Sequence, residues 1–432
     1  MKKKMGVGHL KGDKKEAGFV LITVLTLSFL LFGLAMSYAD ILLSERRLVQ
    51  ASFNSLGTQG LAEAGIEQAM WEYNYNSALF TGWSGTTTKT KTVTGFTDSS
   101  GTSLGNYSIS VDTSANIITS SSTYTNAYGA SLLSVLKAKA SPEPMFSSGI
   151  FADGAIQLKK AATINSYNST TGQYGGSNIL TNGDVATNSG AIPAVTFTTG
   201  SVISGDVGTG STGTVSGSSM VTGAISNNFS KTMPNNDTLY ASPIALCLAT
   251  PSLGSRGSGT INSAGYYRYT DITLGMSDTL TVAPGSGTVY LYLGGSATAL
   301  NMAKTSNIRV SSGNLVVLIA GAIDIDKDCT ISYTTNSITH TSNPQGLNTA
   351  NLTLVGTSAC TSVSVDKNFL LSGTLSIPNA PFSSEDKDLK IYGAIIADSF
   401  DVKKEAEIHY DENLGTNGPT SGYKINWYRR VS

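Results

Sequence analysis

Three aspartates alternate with other residues in a short strand-like segment: Asp324, Asp326 and Asp328 in AIDIDKDC. On a β-strand, alternate side chains share one face and lie about 7 Å apart. Ca²⁺ takes about six to eight oxygen ligands, and carboxylates are among those it prefers. The spacing therefore allows a Ca²⁺ site, although it lacks the glycine turn and final glutamate of a calcium loop. A solvated charged face explains the same pattern.

A catalytic site of the Ser-His-Asp kind would need a histidine, and the chain has only His9, His340 and His409. Such sites are spatial rather than sequential, but nothing in the sequence marks one serine among many. His409, Asp411 and Glu412 end a strand-like segment, which favours polar contacts that cap a last strand. We therefore expect no enzyme activity and no required cofactor.

The three cysteines are Cys247, Cys329 and Cys360, an odd count. In an exported protein, one bridge with one free thiol is conceivable, and Cys329 and Cys360 are the pair nearest in sequence. Small buried thiols in the turns of a β-helix are the alternative. The sequence leaves both states open.

The element that comes first in the chain is a long apolar segment. A lysine-rich leader ends at Gly18, and the run Phe19–Ala39 then contains no charged residue. As a helix this run spans roughly 30 Å, about one bilayer core. The positive leader predicts a cytoplasmic N-terminus and an exported body. A secretory signal peptide cleaved near Ala35-Met36-Ser37 is the alternative.

Apolar residues recur at helical spacing through residues 40–76, so the helix is expected to continue as an amphipathic one over 19–76. Gly57, Gly60 and Gly65 weaken the prediction of a straight rod. Residues 1–18 form the leader, and 19–39 is the transmembrane part.

These N-terminal features resemble type IV pilin-like proteins, most closely the PilX-type minor pilins and the K-type minor pseudopilins of type II secretion. Gly18-Phe19 matches the prepilin peptidase site of the family, which implies cleavage after Gly18 and methylation of Phe19. Glu45-Arg46, followed by AEAGIE with Glu63 as its first glutamate, resembles the PilX-type signature. The resemblance assigns Glu45, Arg46 and Glu63 to assembly.

Thr23 is the position at which the chain departs from most major pilins, which have Glu as the fifth mature residue. In the family, that Glu neutralises the buried N-terminal amine of a neighbouring subunit. Thr23 cannot balance an amine, and burying an unpaired charge is costly. The departure predicts a poor repeating subunit, such as one at a filament tip.

The exported part of the sequence is rich in strand patterns. Four strand-like segments in 77–141 predict a small antiparallel sheet packed beside the helix. Residues 145–411 contain brief strands between Gly, Asn and Asp, which favours a parallel β-helix. A two-sheet sandwich is the alternative. Residues 230–264 are interpreted as an insertion or loop between two stacks.

Residues 412–432 form a C-terminal tail that ends in YKINWYRRV. A last strand that docks on a sheet is the default interpretation of this aromatic and basic segment, and a partner-binding patch is the alternative. The segment before it resembles a domain that often follows PilX-type N-termini, through Pro378-Asn379-Ala380, Tyr392-Gly393-Ala394 and His409-Tyr410-Asp411-Glu412. That resemblance implies no established catalytic activity.

Composition and charge limit the partners. Charged residues make up 13% of the chain and the net charge is −1, which argues against nucleic acid. The pilin resemblance implies prepilin peptidase, other major and minor pilin-like subunits and a bacterial inner membrane as partners. We expect a mostly β protein that acts in filament assembly and surface display. A membrane-tethered adhesin or polysaccharide-acting enzyme, with a surface glycan or host ligand, is the alternative.

Overall fold

The computed structural model describes residues 14–75, 80–97, 103–125, 131–333 and 348–431. The protein is mostly β, as expected, and divides into two compact units. The first unit comprises residues 1–70, 82–140 and 425–432, and the second comprises 71–81 and 141–424.

One long helix, α1, runs from Lys14 to Tyr75 without a break. It begins before Gly18, so its backbone includes the end of the predicted leader. Its second half packs in the first unit, where Leu61, Ala62, Ile66 and Ala69 are buried. These positions recur every three to four residues, which places them on one face of the helix.

Four antiparallel strands follow in the first unit, as predicted: β1 Thr88–Thr97, β2 Ser103–Asp112, β3 Ile117–Thr125 and β4 Ser131–Pro144. Alternate residues such as Ile109, Val111, Ile118 and Leu136 are buried. The sheet thus has one covered face and one polar face, the usual pattern for an antiparallel sheet.

The second unit contains a 25-stranded sheet. Its first chain segment has nine short strands: β5 Ile150–Ala152, β6 Ile156–Leu158, β7 Ala162–Tyr167, β8 Val185–Thr187, β9 Val195–Phe197, β10 Val202–Ile203, β11 Val207–Gly208, β12 Val215–Ser216 and β13 Ile225–Ser226. Two 3₁₀ turns, Gly176–Asn178 and Ser218–Met220, interrupt them. Two helices follow, α2 Asn236–Leu239 and α3 Ala241–Ala249.

The second chain segment supplies the other sixteen strands: β14 Ser255–Arg256, β15 Gly259–Ile261, β16 Gly265–Tyr269, β17 Asp271–Leu274, β18 Thr279–Val282, β19 Thr288–Met302, β20 Asn307–Val310, β21 Asn314–Ile325, β22 Thr330–Tyr333, β23 Leu352–Gly356, β24 Val363–Val365, β25 Leu370–Ile377, β26 Phe382–Ser384, β27 Leu389–Ala397, β28 Phe400–Val402 and β29 Ala406–Asp411. A 3₁₀ turn, Thr349–Asn351, precedes β23. Helix α4, Leu414–Asn417, and strand β30, Thr420–Arg430, end the chain.

All strand pairings among β5–β29 are parallel within the described residues, which makes this unit a β-helix and excludes the sandwich alternative. The described strands define ten turns with three faces. Taking the turn β14–β15–β16 as the start, β14, β15 and β16 lie on the first, second and third faces respectively.

The chain enters this stack in the middle. Strands β28 and β29 pair with β6 and β7, and the end of β27 pairs with β5. Along the stack, residues 255–411 are therefore followed by residues 150–226. We call the junction of β28 and β29 with β6 and β7 the seam.

Three inward columns of apolar side chains pass through the seam without interruption. On the second face, for example, Leu371, Ile391, Ile408, Ile164 and Ile203 lie in register. All five are fully buried. In a parallel stack each side chain lies about 4.8 Å from its equivalents in the turns before and after it, so the interior is a continuous core.

Residues 227–254, the return segment, lead from one end of the stack to the other. They lie over the third face, whose outward residues are unusually apolar: Leu318, Val355, Ile396 and Phe151 are buried beneath this segment and its neighbours. The side-chain amide of Asn236 donates to the carbonyls of Gly356 and Ser376. The predicted insertion at 230–264 is thus a packed crossing, and its last residues already form β14 and β15.

Strand β30 completes the small sheet, whose order is β1-β2-β3-β4-β30. The predicted last strand that docks on a sheet is therefore confirmed. Because β4 and β30 are neighbours, the whole β-helix is inserted in sequence between two adjacent strands. Its two chain ends lie close together, since the amide of Met145 donates to the carbonyl of Pro419.

Candidate functional site

The first half of α1 presents an uncovered apolar surface. Val24–Arg47 is long and apolar enough to cross a membrane, with a mean hydropathy of 1.7, and none of it is buried. Phe29 and Phe32 are about two-thirds exposed, at 69% and 65%. Such a surface requires lipid or other apolar helices around it.

Serine hydroxyls within this span bond to the helix itself. Ser28 donates to the carbonyl of Val24 at 2.8 Å, and Ser37 donates to that of Gly33 at 3.0 Å. Unpaired polar groups are costly in a bilayer core, where no water is available. These bonds make the serines compatible with an apolar environment.

The residues predicted for processing and assembly lie on this helix. Gly18, Phe19 and Thr23 belong to its helical backbone, and their side chains lie outside the described part. Glu45 and Arg46 are exposed near the end of the apolar span. Glu63 lies in the second half, where its carboxylate accepts a bond of 2.8 Å from Gln59.

Gly65, within the AEAGIE segment, is needed for close packing of α1 on the small sheet. A Cβ at this position would lie 2.2 Å from Ser120 Oγ and 3.2 Å from Tyr107 Cδ2. The buried residues Ala62 and Ile66 flank this contact. The motif on which the resemblance rests therefore has a packing role in this unit.

A second candidate site lies at the seam, on the outside of the second face. His409 is buried, and its Nδ1 lies 2.7 Å from Oδ1 of Asn165 in the next turn. The ring of Tyr174 stacks on the imidazole at 3.8 Å between centroids, and the ring of Tyr392 lies 4.9 Å from the imidazole and 5.5 Å from that of Tyr174. Asn165 also donates to the hydroxyl of Tyr174 at 3.0 Å.

Charges surround only one side of this imidazole. His409 Nε2 lies 3.6 Å from Glu407 Oε2, too far for a hydrogen bond, and the same oxygen pairs with Lys390 at 3.1 Å. Burial lowers the pKa of His409, although Glu407 opposes that effect. His409 and Lys390 lower the pKa of Glu407 to about 2, against the effect of burial. The cluster therefore favours a neutral imidazole beside an ionised carboxylate.

The acidic residues that follow His409 bind backbone and hydroxyl groups. Asp411 is fully buried and accepts bonds from the Ser169 amide and the Thr349 hydroxyl. Glu412 accepts from Ser166. Among the described residues, none of these serines contacts His409, and His340 lies outside the described residues. Polar contacts at the end of the strand are present as expected, but the prediction of a last strand was wrong, because β29 pairs with β7 of the next turn.

The predicted calcium residues do not form one cluster. Strand β21 ends at Ile325, so only Asp324 lies on a strand. Asp326 accepts from the amide of Lys327 at 2.7 Å, and Asp328 accepts from the side chain of Asn368 at 2.7 Å. No group of three metal-binding side chains occurs among the described residues. The assumption of one continuous strand was wrong, because the chain turns a corner after Ile325.

That corner contains a repeat that the sequence analysis missed. Lys304-Thr305, Lys327-Asp328, Lys367-Asn368 and Lys387-Asp388 occupy it in four successive turns, and each second residue has a left-handed φ of 57° to 64°. In the first three of these turns, the backbone amide of the left-handed residue donates to the carbonyl of the corner lysine in the next turn. The signal in the sequence was the recurring D-K-D and D-K-N segments.

The cysteines do not form the disulfide that was considered. Cys247, Cys329 and Cys360 are free and buried. Cys329 Sγ lies 3.1 Å from the carbonyl of Ala303, and burial raises the pKa of Cys360 to about 11. The thiols are buried, as the alternative expected, but none lies within a strand: Cys247 belongs to α3, Cys329 immediately precedes β22, and Cys360 lies between β23 and β24.

Comparison with known proteins gives one match. A family model described as a domain of unknown function (DUF7305) matches residues 216–417, less than half of the chain. The matched span runs from β12 through the return segment to α4. No curated protein and no solved structure matches the chain. The chain is therefore similar over this span to a family whose function is not known.

Proposed function

We propose that this protein is a minor pilin-like subunit that anchors in the bacterial inner membrane and displays the β-helix outside it. The observation that carries the proposal is the contrast within α1. Its first half is apolar, long enough to span a bilayer and uncovered, whereas its second half packs on the small sheet. A helix built in this way suits both a membrane anchor and a filament core.

Further support comes from the sequence. The positive leader ahead of Gly18 predicts a cytoplasmic N-terminus. Gly18-Phe19, Glu45-Arg46 and the segment around Glu63 resemble PilX-type subunits. Prepilin peptidase and other pilin-like subunits would then be the partners of α1, in a pilus or a secretion pseudopilus.

Thr23 favours a place at the filament tip. At the tip no other subunit lies above this one, so there is no neighbouring N-terminal amine to neutralise. Thr23 in place of Glu therefore leaves no buried charge unpaired at the tip. A large exported body is also tolerated at a tip without clashes between successive copies. We therefore expect a low-copy subunit that acts in initiation and display.

The test is the N-terminus of the mature protein in its native host. We expect mass spectrometry to find a methylated Phe19, and Gly18→Val to leave the precursor uncut. Gly33→Val is the matched control, because it alters another glycine of the same helix with no neighbour within 4 Å. A mature N-terminus near Tyr38 would instead support the secretory signal peptide.

The place in the filament needs a second measurement. Labelled antibody against residues 145–411 should bind at filament ends. Regular labelling along the shaft would contradict the tip assignment while leaving the anchor untouched.

A further inference from the structure

The last strand of the chain has a free edge. Within the described residues the small sheet ends at β30. The amide of Val431 donates to the carbonyl of Val135 on β4. Because backbone groups alternate along a strand, the amides of Asn426, Tyr428 and Arg430 point away from β4. A row of unpaired donors and acceptors like this one is a template for another strand.

The opposite edge of the same sheet is protected. Thr90 of β1 exchanges two backbone hydrogen bonds with Ser84. The register of β1 shifts around Phe96. Lys89 and Lys91 lie opposite the buried residues of β2, so they point towards the covered face. Irregular register and inward lysines are the means by which proteins prevent edge pairing. The β30 edge, over Ile425–Arg430, has no covering segment of this kind among the described residues.

The side chains along the free edge are basic and aromatic. Trp427 is 39% exposed and Tyr428 62%, and the Arg429 guanidinium lies 5.5 Å from the Trp427 ring. Arg429 and Arg430 form no ion pair within the described residues.

The neighbouring strand adds further positive charge. On β4, Lys137 and Lys139 likewise have no ion pair among the described residues. Across the sheet, Lys139 pairs with Ile117 of β3, which in turn pairs with Asp112 of β2. The carboxylate of Asp112 lies two strands away and accepts bonds from the amides of Ser114 and Ala115. The edge therefore presents positive charge without a nearby counter-charge in the part of the chain that the structure describes.

We propose that the free edge of β30, over Ile425–Arg430, binds an extended acidic segment of another protein chain as a sixth strand. Main-chain hydrogen bonds to the edge would supply affinity, and alternate side chains would supply specificity. Acidic residues would face the arginines of β30, and an apolar residue would pack on Trp427. This goes beyond the proposed function, since it concerns a partner of the small sheet and not of α1.

A second copy of this chain is a poorer occupant. Antiparallel pairing of two β30 edges over Ile425–Arg430 would place the arginines of each copy opposite Ile425 and Asn426 of the other, where they meet no counter-charge. An acidic strand has the complementary charge. Electrostatic complementarity of this kind raises association rates and suppresses wrong partners.

The test uses the full chain in detergent micelles and a labelled ten-residue peptide in which Glu alternates with Val and Thr. Fluorescence anisotropy should show binding. The same peptide with alternate amides N-methylated keeps its charge but cannot pair, and should bind at least about tenfold more weakly. Hydrogen exchange at Asn426, Tyr428 and Arg430 should slow only with the unmodified peptide.

Variants separate backbone pairing from charge. Asn426→Pro removes one outward donor, and Arg429→Glu with Arg430→Glu reverses the charge; each should weaken binding about tenfold. Lys327→Glu is the matched control, an exposed lysine of the second unit, and should change nothing. If Asn426→Pro does not fold, binding of the N-methylated peptide to the unaltered protein still tests whether backbone pairing is required.

Equal binding of the two peptides would reduce the edge to a charged patch and overturn the proposal. A concentration-dependent dimer that Asn426→Pro abolishes would overturn it as well, in favour of a second copy. Both results are independent of how the N-terminus is processed.

Discussion

The two sheets of this protein bury apolar surface in different ways. The small antiparallel sheet has one apolar face and needs α1 to cover it, with Ile66 and Ala69 among the buried helix residues. The β-helix closes on itself, so its columns of Leu, Ile, Val and Phe are covered by its own three faces. The outside of its third face is also apolar, and the return segment and its neighbours cover it.

This difference predicts where each unit is sensitive to substitution. The small sheet depends on how closely one helix approaches it. The β-helix depends on side chains that stack from turn to turn, including across the seam, where strands far apart in sequence meet. A substitution in one of these two cores should therefore affect one unit and spare the other.

The largest effect is expected in the interior at the seam. Phe400 is fully buried, and its ring stacks on Phe382 at 4.8 Å. Phe400→Ala should lower the free energy of unfolding of the β-helix by about 3–5 kcal/mol, because it leaves a cavity. Hydrogen exchange should accelerate in β26, β28 and β6 while β1–β4 remain unchanged.

Phe400→Leu is the control for that experiment, since it keeps most of the volume and should cost less than about 1.5 kcal/mol. Equal acceleration of hydrogen exchange in both units would show that the two cores unfold together. The expectation that each core is stabilised separately would then be wrong.

A smaller effect is expected where α1 meets the small sheet. Gly65→Ala should destabilise this unit by about 1–3 kcal/mol, because the added Cβ would overlap the buried Ser120 side chain. Gly60→Ala is the matched control on the same helix, with no neighbour within 4 Å of its Cβ. It should stabilise the helix by up to about 1 kcal/mol.

Thermal unfolding followed by the near-ultraviolet signal of Trp83, which is buried in this unit, measures both glycine variants. Changes of the same sign at Gly60 and Gly65 would show that helix propensity, and not close packing, decides the stability of the small sheet.

The local patterns in the sequence predicted the elements better than their arrangement. The uncharged run from Phe19 and the alternating segments of 77–141 predicted the long helix and four antiparallel strands, because helix and strand periods are local. The entry of the chain at the middle of the stack could not be predicted, since parallel pairing of Ile150 with Ile395 joins distant segments. His409 and Asn165 are likewise 244 residues apart.

The corner repeat was hidden by unequal connections between its turns. Lys327 and Lys367 occupy the same corner position one turn apart, yet residues 334–351 intervene between β22 and β23. Between Lys367 and Lys387 the connections are short. A search for a fixed period fails in such a chain, whereas the recurring D-K-D and D-K-N segments mark the position directly. The same corner explains why Asp324, Asp326 and Asp328 were wrongly placed on one face.

The smallest effect concerns the pH dependence of the seam. Burial lowers the pKa of His409, so the unfolded chain takes up this proton before the folded one does as the pH falls. The corresponding stability is present above the unfolded pKa, about 6.5, and is lost as the pH falls below it. The lowered pKa of Glu407 also stabilises the folded protein at higher pH. This contribution is lost as the pH falls from about 4.3, the unfolded pKa, to the folded pKa of about 2.

We therefore expect the β-helix to lose stability between pH 8 and pH 5 relative to His409→Gln, with a slope of at most about 1.4 kcal/mol per pH unit for one proton. Gln has an amide that can still bond to Asn165 but does not titrate, so the difference between the two proteins isolates the imidazole. Urea unfolding at a series of pH values measures this difference in stability.

If the native protein instead gains stability over His409→Gln on acidification, the folded imidazole must be charged and paired with Glu407. A Glu407→Gln variant would then remove that gain, because it leaves the imidazolium without its carboxylate partner. Such a result would show that His409 forms an ion pair at the seam, whereas its burial against Tyr174 and Tyr392 indicates a neutral ring in an aromatic cluster.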